Sequence, residues 1–299
     1  MKTRIGRTWE WCIERLVQIA GVFGIIVVIL IFLFLLRNSL PILGEHPLGE
    51  LVGGRYWRPV SREPQFGMLP LILGSVYVTV GALVISIPLG IATAIFIAEI
   101  APRPVREILK PVVELLAAVP SVVYGFLGLL LIGPWLNARF EALHYSSFAA
   151  LGSLMLALMA LPTIVTISED ALHSVPRALV NSSLALGATR WQTITRALLP
   201  ASRSGLIAAS LLGLGRAIGE TMTVLMVTGN SPRMPDGLKG LIEPVRTLTA
   251  TIAAEMGEAA QHSDHFYALF TIGLLLFAIT FVVNTIADVI IRRGERGTA

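Results

Sequence analysis

Arg216 and Glu220 lie four residues apart inside a long apolar segment of the sequence. This spacing places both side chains on one face of a helix. A cation within a membrane costs at least about 2.5–3.5 kcal/mol on insertion scales, so it is expected to face a bundle interior or a cavity and to have a partner. The pair therefore predicts either a path on which Arg216 attracts an anion or a buried ion pair that fixes helix packing.

A second polar stretch, residues 168–205, lies between two strongly apolar segments. Gly187 permits a turn between two short helices. Thr189 and Gln192 have the spacing of a capping box, in which each side chain bonds the other residue's backbone N–H. The sequence thus predicts a helix that begins just after Thr189 in a polar connecting loop.

The helix after this turn carries an apolar stripe of Trp191, Ile194 and Leu198, which Arg190 and Arg196 flank. A short helix with an exposed aromatic anchor can insert into a groove of a partner protein. The same pattern is typical of a helix that lies on the membrane surface with a tryptophan at the interface. The residues by themselves leave both interpretations open.

Other residue types give little support for catalysis or cofactor binding. His262 and His265 flank Asp264 at a spacing that suits a metal only weakly, and Cys12 is the only cysteine. No Ser, His and Asp form a nucleophile motif. The chain has three lysines, Lys2, Lys110 and Lys239. None belongs to a phosphate-binding P-loop pattern, so we expect no ATP hydrolysis by that route, no cofactor and no metal site.

Composition indicates an integral membrane protein, because the chain is 55% hydrophobic and only 14% charged. Long apolar runs without alternation favour helices over a barrel, so the expected fold is all-α and polytopic with six transmembrane helices. The six predicted spans are residues 17–36, 71–97, 112–133, 149–167, 206–227 and 267–291. The proline residues Pro88, Pro120 and Pro162 are expected to kink or end their helices.

Lys and Arg are about twice as dense on one side of these spans as on the other. The basic side comprises residues 1–16, 98–111, 168–205 and 292–299. This bias predicts that these segments and both termini are cytoplasmic. The net charge of +4 largely reflects the orientation signal, so we expect contact with membrane lipid and none with nucleic acid.

Residues 1–69 are predicted to form an N-terminal tail, the first span and an exterior loop. Residues 70–291 are predicted to contain the remaining five spans, and residues 292–299 are predicted to form a C-terminal tail. The exterior loops, 37–69 and 228–266, either contact a soluble partner or only connect helices. A short surface helix is expected within the second. The glycines near Arg216 are expected where two helices pack closely, either within this subunit or against a second permease subunit.

The polar loop at residues 168–205 resembles the cytoplasmic coupling loop of ABC-importer permeases. That pattern reads Glu-Ala-Ala, three residues, Gly, nine residues, Ile-x-Leu-Pro, and the chain keeps Gly187, Leu199 and Pro200 at the matching distances. It departs at Asn181, where the pattern has Glu, and at Ala197, where it has Ile. Because Asn181 carries no charge, the usual acidic contact is absent.

Further motifs are similar to those of phosphate-specific importers. They are residues 114–125 in the third span, 185–191 in the loop, 215–230 in the fifth span and 273–284 in the last span. The motif at 215–230 resembles the form of the fifth-span signature that PstC-type permeases carry. The resemblance covers about residues 70–291, together with the extra first helix.

This resemblance implies an ABC importer permease fold in the bacterial inner membrane and transport of inorganic phosphate. The implied partners are a PstA-type second permease, two PstB-type ATPase subunits and an exterior phosphate-binding protein. Arg216 and Glu220 are then expected on the substrate path. The residues expected to contact the ATPase are Asn181, Gly187, Arg190, Trp191, Ile194, Leu199 and Pro200.

Three alternatives remain open. The chain could be the PstA-type sister subunit or a permease for another oxyanion, which would share the loop and differ along the path. It could also be an ATP-independent channel or a membrane-embedded enzyme, for which residues 181–200 would have no coupling role.

Overall fold

The computed structural model describes residues 4–140 and 145–296. Within these residues, six helical segments are long and apolar enough to cross a membrane. They are Ile13–Glu45, Leu69–Ile100, Ser121–Arg139, Ala149–His173, Arg190–Ile218 and Asp264–Ile290. The structure therefore confirms an all-α polytopic protein with six spans.

The chain forms helices of very different length. In order they are α1 (Arg4–Glu45), α2 (Leu48–Gly53), α3 (Leu69–Ile95), α4 (Arg103–Ala118), α5 (Ser121–Leu127), α6 (Gly133–Arg139), α7 (Ala149–His173), α8 (Arg177–Ala185), α9 (Arg190–Thr193), α10 (Leu199–Ile218), α11 (Met222–Val227), α12 (Leu248–Glu255) and α13 (Asp264–Arg296). Three π-helical turns, Phe96–Ile100, Gly128–Ile132 and Ile194–Leu198, extend α3, join α5 to α6 and join α9 to α10.

The helix α7 lies at the centre of the bundle and is the most buried of the six spans. It packs against α3 on one side and α10 on another. Ile164 of α7 fits between glycines of both neighbours, since a Cβ on Gly90 or on Gly213 would lie only 2.6 Å from its side chain. The predicted glycine contacts of α10 are thus partly made within this subunit.

The first helix packs along the last one. Phe32 contacts Phe277 and Phe34 contacts Phe270, in each case with ring centroids 5.5 Å apart. At the end of these helices, a short hairpin of β1 (Trp57–Arg58) and β2 (Gln65–Phe66) covers a small apolar core. The hairpin is the only sheet among the described residues.

Two predicted spans differ from the structure because their helices break. The predicted span 112–133 is divided at Val119 and Pro120, both extended, since proline lacks an N–H and disfavours helix in the residue before it. The predicted span 206–227 begins earlier, within a helix from Arg190, and is broken after Ile218. The helices α3 and α7, by contrast, continue through Pro88 and Pro162.

The predicted ends also differ. Helix α1 begins within the predicted N-terminal tail, and α13 continues through the predicted tail to Arg296, while residues 297–299 lie outside the described residues. The expected helix in the second exterior loop forms as α12. It is not a surface helix, because Leu248, Thr249, Ala250 and Thr251 are buried.

Candidate functional site

The two helix breaks lie beside each other. One separates α4 from α5 at Pro120, and the other separates α10 from α11 at Gly219–Thr221. The hydroxyl of Thr223, in the first turn of α11, donates a hydrogen bond to the backbone carbonyl of Ser121 at 2.8 Å. One side chain therefore connects the start of α11 directly to the start of α5.

Close packing of α5 on α11 keeps the two breaks together. A Cβ on Gly125 would lie 2.6 Å from the sulfur of Met226 and 3.3 Å from its Cβ. Only glycine allows this approach without displacing Met226, because real Cβ atoms do not come so near another atom.

Arg216 lies in the last turn of α10, directly before the break, and is half-buried. Its Nη1 donates a hydrogen bond to the hydroxyl of Thr163 on α7 at 2.9 Å. No described carboxylate forms an ion pair with Arg216. The positive charge is thus held by a neutral partner beside the broken helix.

Glu220 does not form the predicted pair with Arg216. The helix ends at Ile218, so the two residues do not share a helical face. A carboxylate oxygen of Glu220 instead accepts a hydrogen bond from the backbone N–H of Thr223 at 3.2 Å. Its carbonyl accepts one from the hydroxyl of Thr249 on α12 at 2.8 Å. Glu220 therefore stabilises the start of α11, where a negative charge is favourable.

Broken helices within a membrane leave backbone groups that must be satisfied by protein or by a water-lined cavity. In transporters such breaks are where substrates bind. A half-buried arginine that has no carboxylate partner among the described residues, beside two adjacent breaks, is an arrangement that can attract an anion. Sequence reasoning found Arg216 and missed the break, although Gly219 followed by a polar Glu220–Thr221 pair is a signal for one.

The polar loop forms the second candidate region. Helix α8 ends just before Gly187, whose positive φ of 84° confirms the predicted turn. The capping box is also confirmed: Gln192 N–H donates to Thr189 Oγ1 at 3.2 Å, and Thr189 N–H donates to Gln192 Oε1 at 2.9 Å. Local sequence therefore determines how this segment folds.

The predicted apolar stripe is divided between two environments. Ile194 and Leu198 are 5% and 1% exposed and pack in a core with α3, α7 and α8. Trp191 is 63% exposed, because α9 begins beyond the edge of that core. The stripe is therefore not one continuous docking face, and Ile194 is a core residue that positions the loop.

The exposed surface of this region is formed mainly by α8, the turn and α9. Asn181, Gly187, Arg190 and Pro200 are exposed, and Leu199 is half-buried. Leu186, which sequence reasoning missed, is 89% exposed. Its signal was an apolar residue directly before the turn glycine. Leu186 and Trp191 together form an apolar tip that is not covered by the described chain.

Polar contacts fasten this tip to the spans. Arg177 at the start of α8 forms an ion pair with Glu99 in the π-helical end of α3, at 3.0 Å. Ser183 and Thr193 are hydrogen bonded through their hydroxyls at 3.0 Å, which connects α8 to α9. The tip is therefore connected to α3 and, through α9 and the π-helical turn that follows it, to α10.

The histidines that we considered for metal binding have other contacts. His265 Nε2 lies 2.9 Å from a carboxylate oxygen of Glu255, and His262 Nδ1 lies 3.2 Å from the hydroxyl of Tyr267. Within residues 4–140 and 145–296, no three His, Cys, Asp or Glu side chains are grouped to hold a metal ion.

The fold is that of an ABC-importer permease. A crystal structure of the MetNI methionine ABC transporter in an inward-facing conformation matches with a TM-score of 0.56 and 20% identity, over 76% of this chain and 94% of that one. An amino acid ABC transporter matches with a TM-score of 0.53. At this identity the likeness shows the fold alone.

The chain belongs to the family described as the binding-protein-dependent transport system inner membrane component, whose model matches residues 86–296. The probable ABC transporter permease YqgH of Bacillus subtilis is 41% identical over 80% of this chain and 76% of its own length. The phosphate transport system permease PstC of Mesorhizobium japonicum is 36% identical over 81% of this chain and 78% of its own length. PstC of Haemophilus influenzae is 31% identical over 96% of this chain and 95% of its own length. The chain is therefore a multi-pass permease subunit of a membrane transport system.

Proposed function

We propose that this protein is a permease subunit that passes inorganic phosphate through the inner membrane in an ATP-driven importer. The observation that carries the proposal is Arg216, a half-buried cation beside the broken fifth span with no carboxylate partner in the described chain. Relatives named as phosphate transport permeases support phosphate as the anion. A sister-type subunit or another oxyanion is less well supported by these relatives.

In this proposal Arg216 attracts the dianion at the break, while Glu220 holds the start of α11 in place. A guanidinium suits a phosphate oxygen pair because its N–H groups form a planar fork. The interaction must stay weak enough for release, as transport requires binding that is favourable on entry but easily reversed. The hydrogen bond to neutral Thr163 fits this need, since it orients the charge without cancelling it.

The energy for transport comes from separate ATPase subunits, of which we propose two copies, beneath a pair of unlike permeases. These subunits contact the tip formed by Leu186 and Trp191, together with Asn181, Gly187 and Arg190. Leu199 and Pro200 form the start of α10, the helix that leads from the loop to Arg216. The missing acidic residue at Asn181 is compensated by apolar contact in this arrangement.

Orientation completes the proposal: residues 168–205 and both termini face the cytoplasm, and the segments 37–69 and 228–266 face outward. Cysteine substitutions at Leu186 and Leu238, which are 89% and 86% exposed, allow a direct check. In intact cells, a membrane-impermeant maleimide is expected to label the Leu238→Cys variant only. Labelling of Leu186→Cys alone would invert the topology and contradict the proposal.

The function is tested by ATP-dependent uptake of radiolabelled phosphate into proteoliposomes that hold the assembled complex and its binding protein. We expect uptake that requires ATP and is competed by unlabelled phosphate more strongly than by sulfate or molybdate. Stronger competition by another oxyanion would assign a different substrate. Uptake without ATP or ATPase subunits would indicate a channel.

A further inference from the structure

Helix α11, which follows the break beside Arg216, has only six residues, Met222–Val227. A helix of this length is not stable alone, because the free energy cost of nucleation exceeds what one or two turns return. Contacts with other parts of the chain must therefore hold it in place. Besides its contacts with α5, α11 is held by the segment at residues 245–255, which contains α12.

Two side chains of this segment bind the chain on either side of α11. The hydroxyl of Thr249, in the first turn of α12, donates a hydrogen bond to the carbonyl of Glu220 at 2.8 Å, shortly before α11 begins. Arg246 Nε donates to the carbonyl of Asn230 at 3.1 Å, shortly after α11 ends. The position of α11 relative to the break therefore depends on where Arg246 and Thr249 lie.

The carboxylate of Glu255, at the end of α12, fixes Arg246. It forms an ion pair with Arg246, accepts hydrogen bonds from the indole N–H of Trp57 at 3.0 and 3.2 Å, and lies 2.9 Å from Nε2 of His265. The side chains of Glu255, Arg246 and His265 are 16%, 14% and 14% exposed, so salt screens these contacts little. One carboxylate therefore connects the hairpin and the start of α13 to a residue that holds α11.

Trp57 brings the N-terminal part of the chain into this network. Its side chain is 2% exposed, and its ring contacts that of Phe66 across the hairpin, with centroids 6.2 Å apart. Both residues belong to the apolar core at the end of α1, which includes Ile42 of that helix. The family model begins at residue 86, so α1, α2 and the hairpin lie outside the residues that it matches. The bond from Trp57 to Glu255 thus joins this additional segment to the segment that holds α11.

We propose that Trp57 and Glu255 are positioning residues for the break beside Arg216. The hairpin holds Glu255, Glu255 holds Arg246, and Arg246 holds the chain after α11, so the N-terminal segment keeps α11 in place. Neither positioning residue touches the anion. The inference rests on the proposed function, because it takes the break as the place that phosphate passes, and it adds a role for α1 and the hairpin.

Hydrogen exchange of the assembled complex in nanodiscs tests the contact, with Trp57→Phe as the variant. Phenylalanine keeps an aromatic ring in the core and removes only a neutral donor, so the ion pair of Glu255 with Arg246 is retained. Removing either charged partner would instead leave the other charge unpaired, at a much larger cost. We expect residues 222–230 to exchange roughly threefold to tenfold faster than in the native complex, with α3 and α7 unchanged.

The matched control is Tyr56→Phe, which also removes one polar hydrogen from an aromatic side chain. Tyr56 directly precedes Trp57 and is 57% exposed. Its hydroxyl forms no hydrogen bond within residues 4–140 and 145–296. Exchange at residues 222–230 should therefore match that of the native complex.

A double-mutant cycle separates the hydrogen bond of Trp57 from its packing. Glu255→Asp keeps the negative charge but shortens the side chain, which withdraws the carboxylate from the indole N–H. If Trp57 acts through Glu255, Trp57→Phe should change exchange at residues 222–230 by less than about twofold in the Glu255→Asp background. The same fold-change in both backgrounds would overturn the proposal, since Trp57 would then act by packing alone.

Transport in the same variants is measured as phosphate taken up per ATP hydrolysed, in proteoliposomes that hold the assembled complex and its binding protein. We expect Trp57→Phe to lower this ratio by roughly twofold or more at an unchanged rate of ATP hydrolysis, because a displaced α11 alters the break and leaves the ATPase contact intact. Loss of assembly, or an equal loss of ATP hydrolysis and uptake, would indicate a general structural role and overturn the proposal.

Two other results would also contradict it. One is native exchange at residues 222–230 in Trp57→Phe. The other is faster exchange there with an unchanged uptake ratio, since the position of α11 would then not matter for transport. If the native complex takes up no phosphate, the proposed function itself fails, while the exchange experiment still reports whether Trp57 holds α11.

Discussion

The apolar tip of Leu186 and Trp191 and the break beside Arg216 present opposite kinds of surface. At the tip, Leu186 and Trp191 are exposed apolar side chains held by a local turn and a capping box. At the break, a half-buried charge is held by Thr163, which lies 53 residues away in sequence. The first surface suits contact with a protein that remains bound, and the second suits brief contact with a passing anion.

The two regions also differ in the contacts that determine their structure. The tip folds through contacts between residues close in sequence, such as Thr189 with Gln192. The break is stabilised by long-range contacts, from Thr223 to Ser121 and from Thr249 to Glu220. Changes at the tip should therefore leave the membrane fold intact, whereas loss of the Thr223 or Thr249 contacts at the break should disturb helix packing.

The largest effect is expected from placing charge on the tip. The double variant Leu186→Asp/Trp191→Asp should lower ATP-coupled uptake by at least tenfold, since a desolvated carboxylate opposes an apolar contact. Membrane insertion and assembly of the permease pair should be unchanged. Uptake and ATPase assays on the purified complex provide the measurement. The control is Leu238→Asp, an 86% exposed leucine on the opposite side. Normal coupling in the double variant would remove the tip from the ATPase contact.

A moderate effect is expected at the packing contact between the breaks. Gly125→Ala should destabilise the protein by roughly 1–3 kcal/mol, because the added Cβ overlaps Met226. Thermal unfolding in detergent measures the change. The second variant Gly125→Ala/Met226→Ala should recover part of the loss. Gly24→Ala, where nothing lies within 4 Å of the added carbon, is the matched control. Equal effects at Gly125 and Gly24 would show that α5 and α11 do not pack as described.

The turn at Gly187 should give a smaller effect. Replacing it by alanine forces a non-glycine residue into a positive φ of 84°, at a cost of roughly 1–2 kcal/mol. We expect faster local hydrogen exchange in residues 185–193 and a partial loss of coupling. Gly257→Ala, an open glycine without a positive φ, should change neither. If exchange at 185–193 stays as slow as in the native protein, the turn is not the local constraint described here.

The smallest effect is expected at the cap. Thr189→Ala removes one hydrogen bond to the Gln192 N–H and should destabilise α9 locally by about 1 kcal/mol. Thr189→Ser keeps the hydroxyl and should behave like the native protein. Hydrogen exchange of residues 190–193 measures the difference. Identical exchange in both variants would mean that packing of Ile194, rather than the cap, holds α9.

These differences explain what the sequence could predict. Span number, the turn at Gly187 and the capping box follow from apolar length and local residue patterns, so they were predictable. An uninterrupted span 206–227 was expected and was wrong. Gly219 before the polar Glu220–Thr221 pair is a weak local signal for the break after Ile218, and the contacts of Thr223 and Thr249 with distant segments hold the break in place. The predicted pairing of Arg216 with Glu220 was wrong for the same reason, since it assumed a continuous helix through both residues.

Burial was equally hard to foresee. Helical spacing places Trp191, Ile194 and Leu198 on one face, but it does not reveal where the core ends.

The central claim is that Arg216 carries an anion past the broken helix, and uptake by an Arg216→Gln variant tests it most directly. Complexes that contain the native chain, Arg216→Gln or the exposed control Arg139→Gln are first matched for assembly. ATP-dependent phosphate uptake and ATP hydrolysis are then measured in the same proteoliposomes. We predict that Arg216→Gln hydrolyses ATP but loses at least tenfold in phosphate uptake, while Arg139→Gln is normal. Normal uptake by assembled Arg216→Gln would contradict the account and leave Arg216 as a packing residue bound to Thr163.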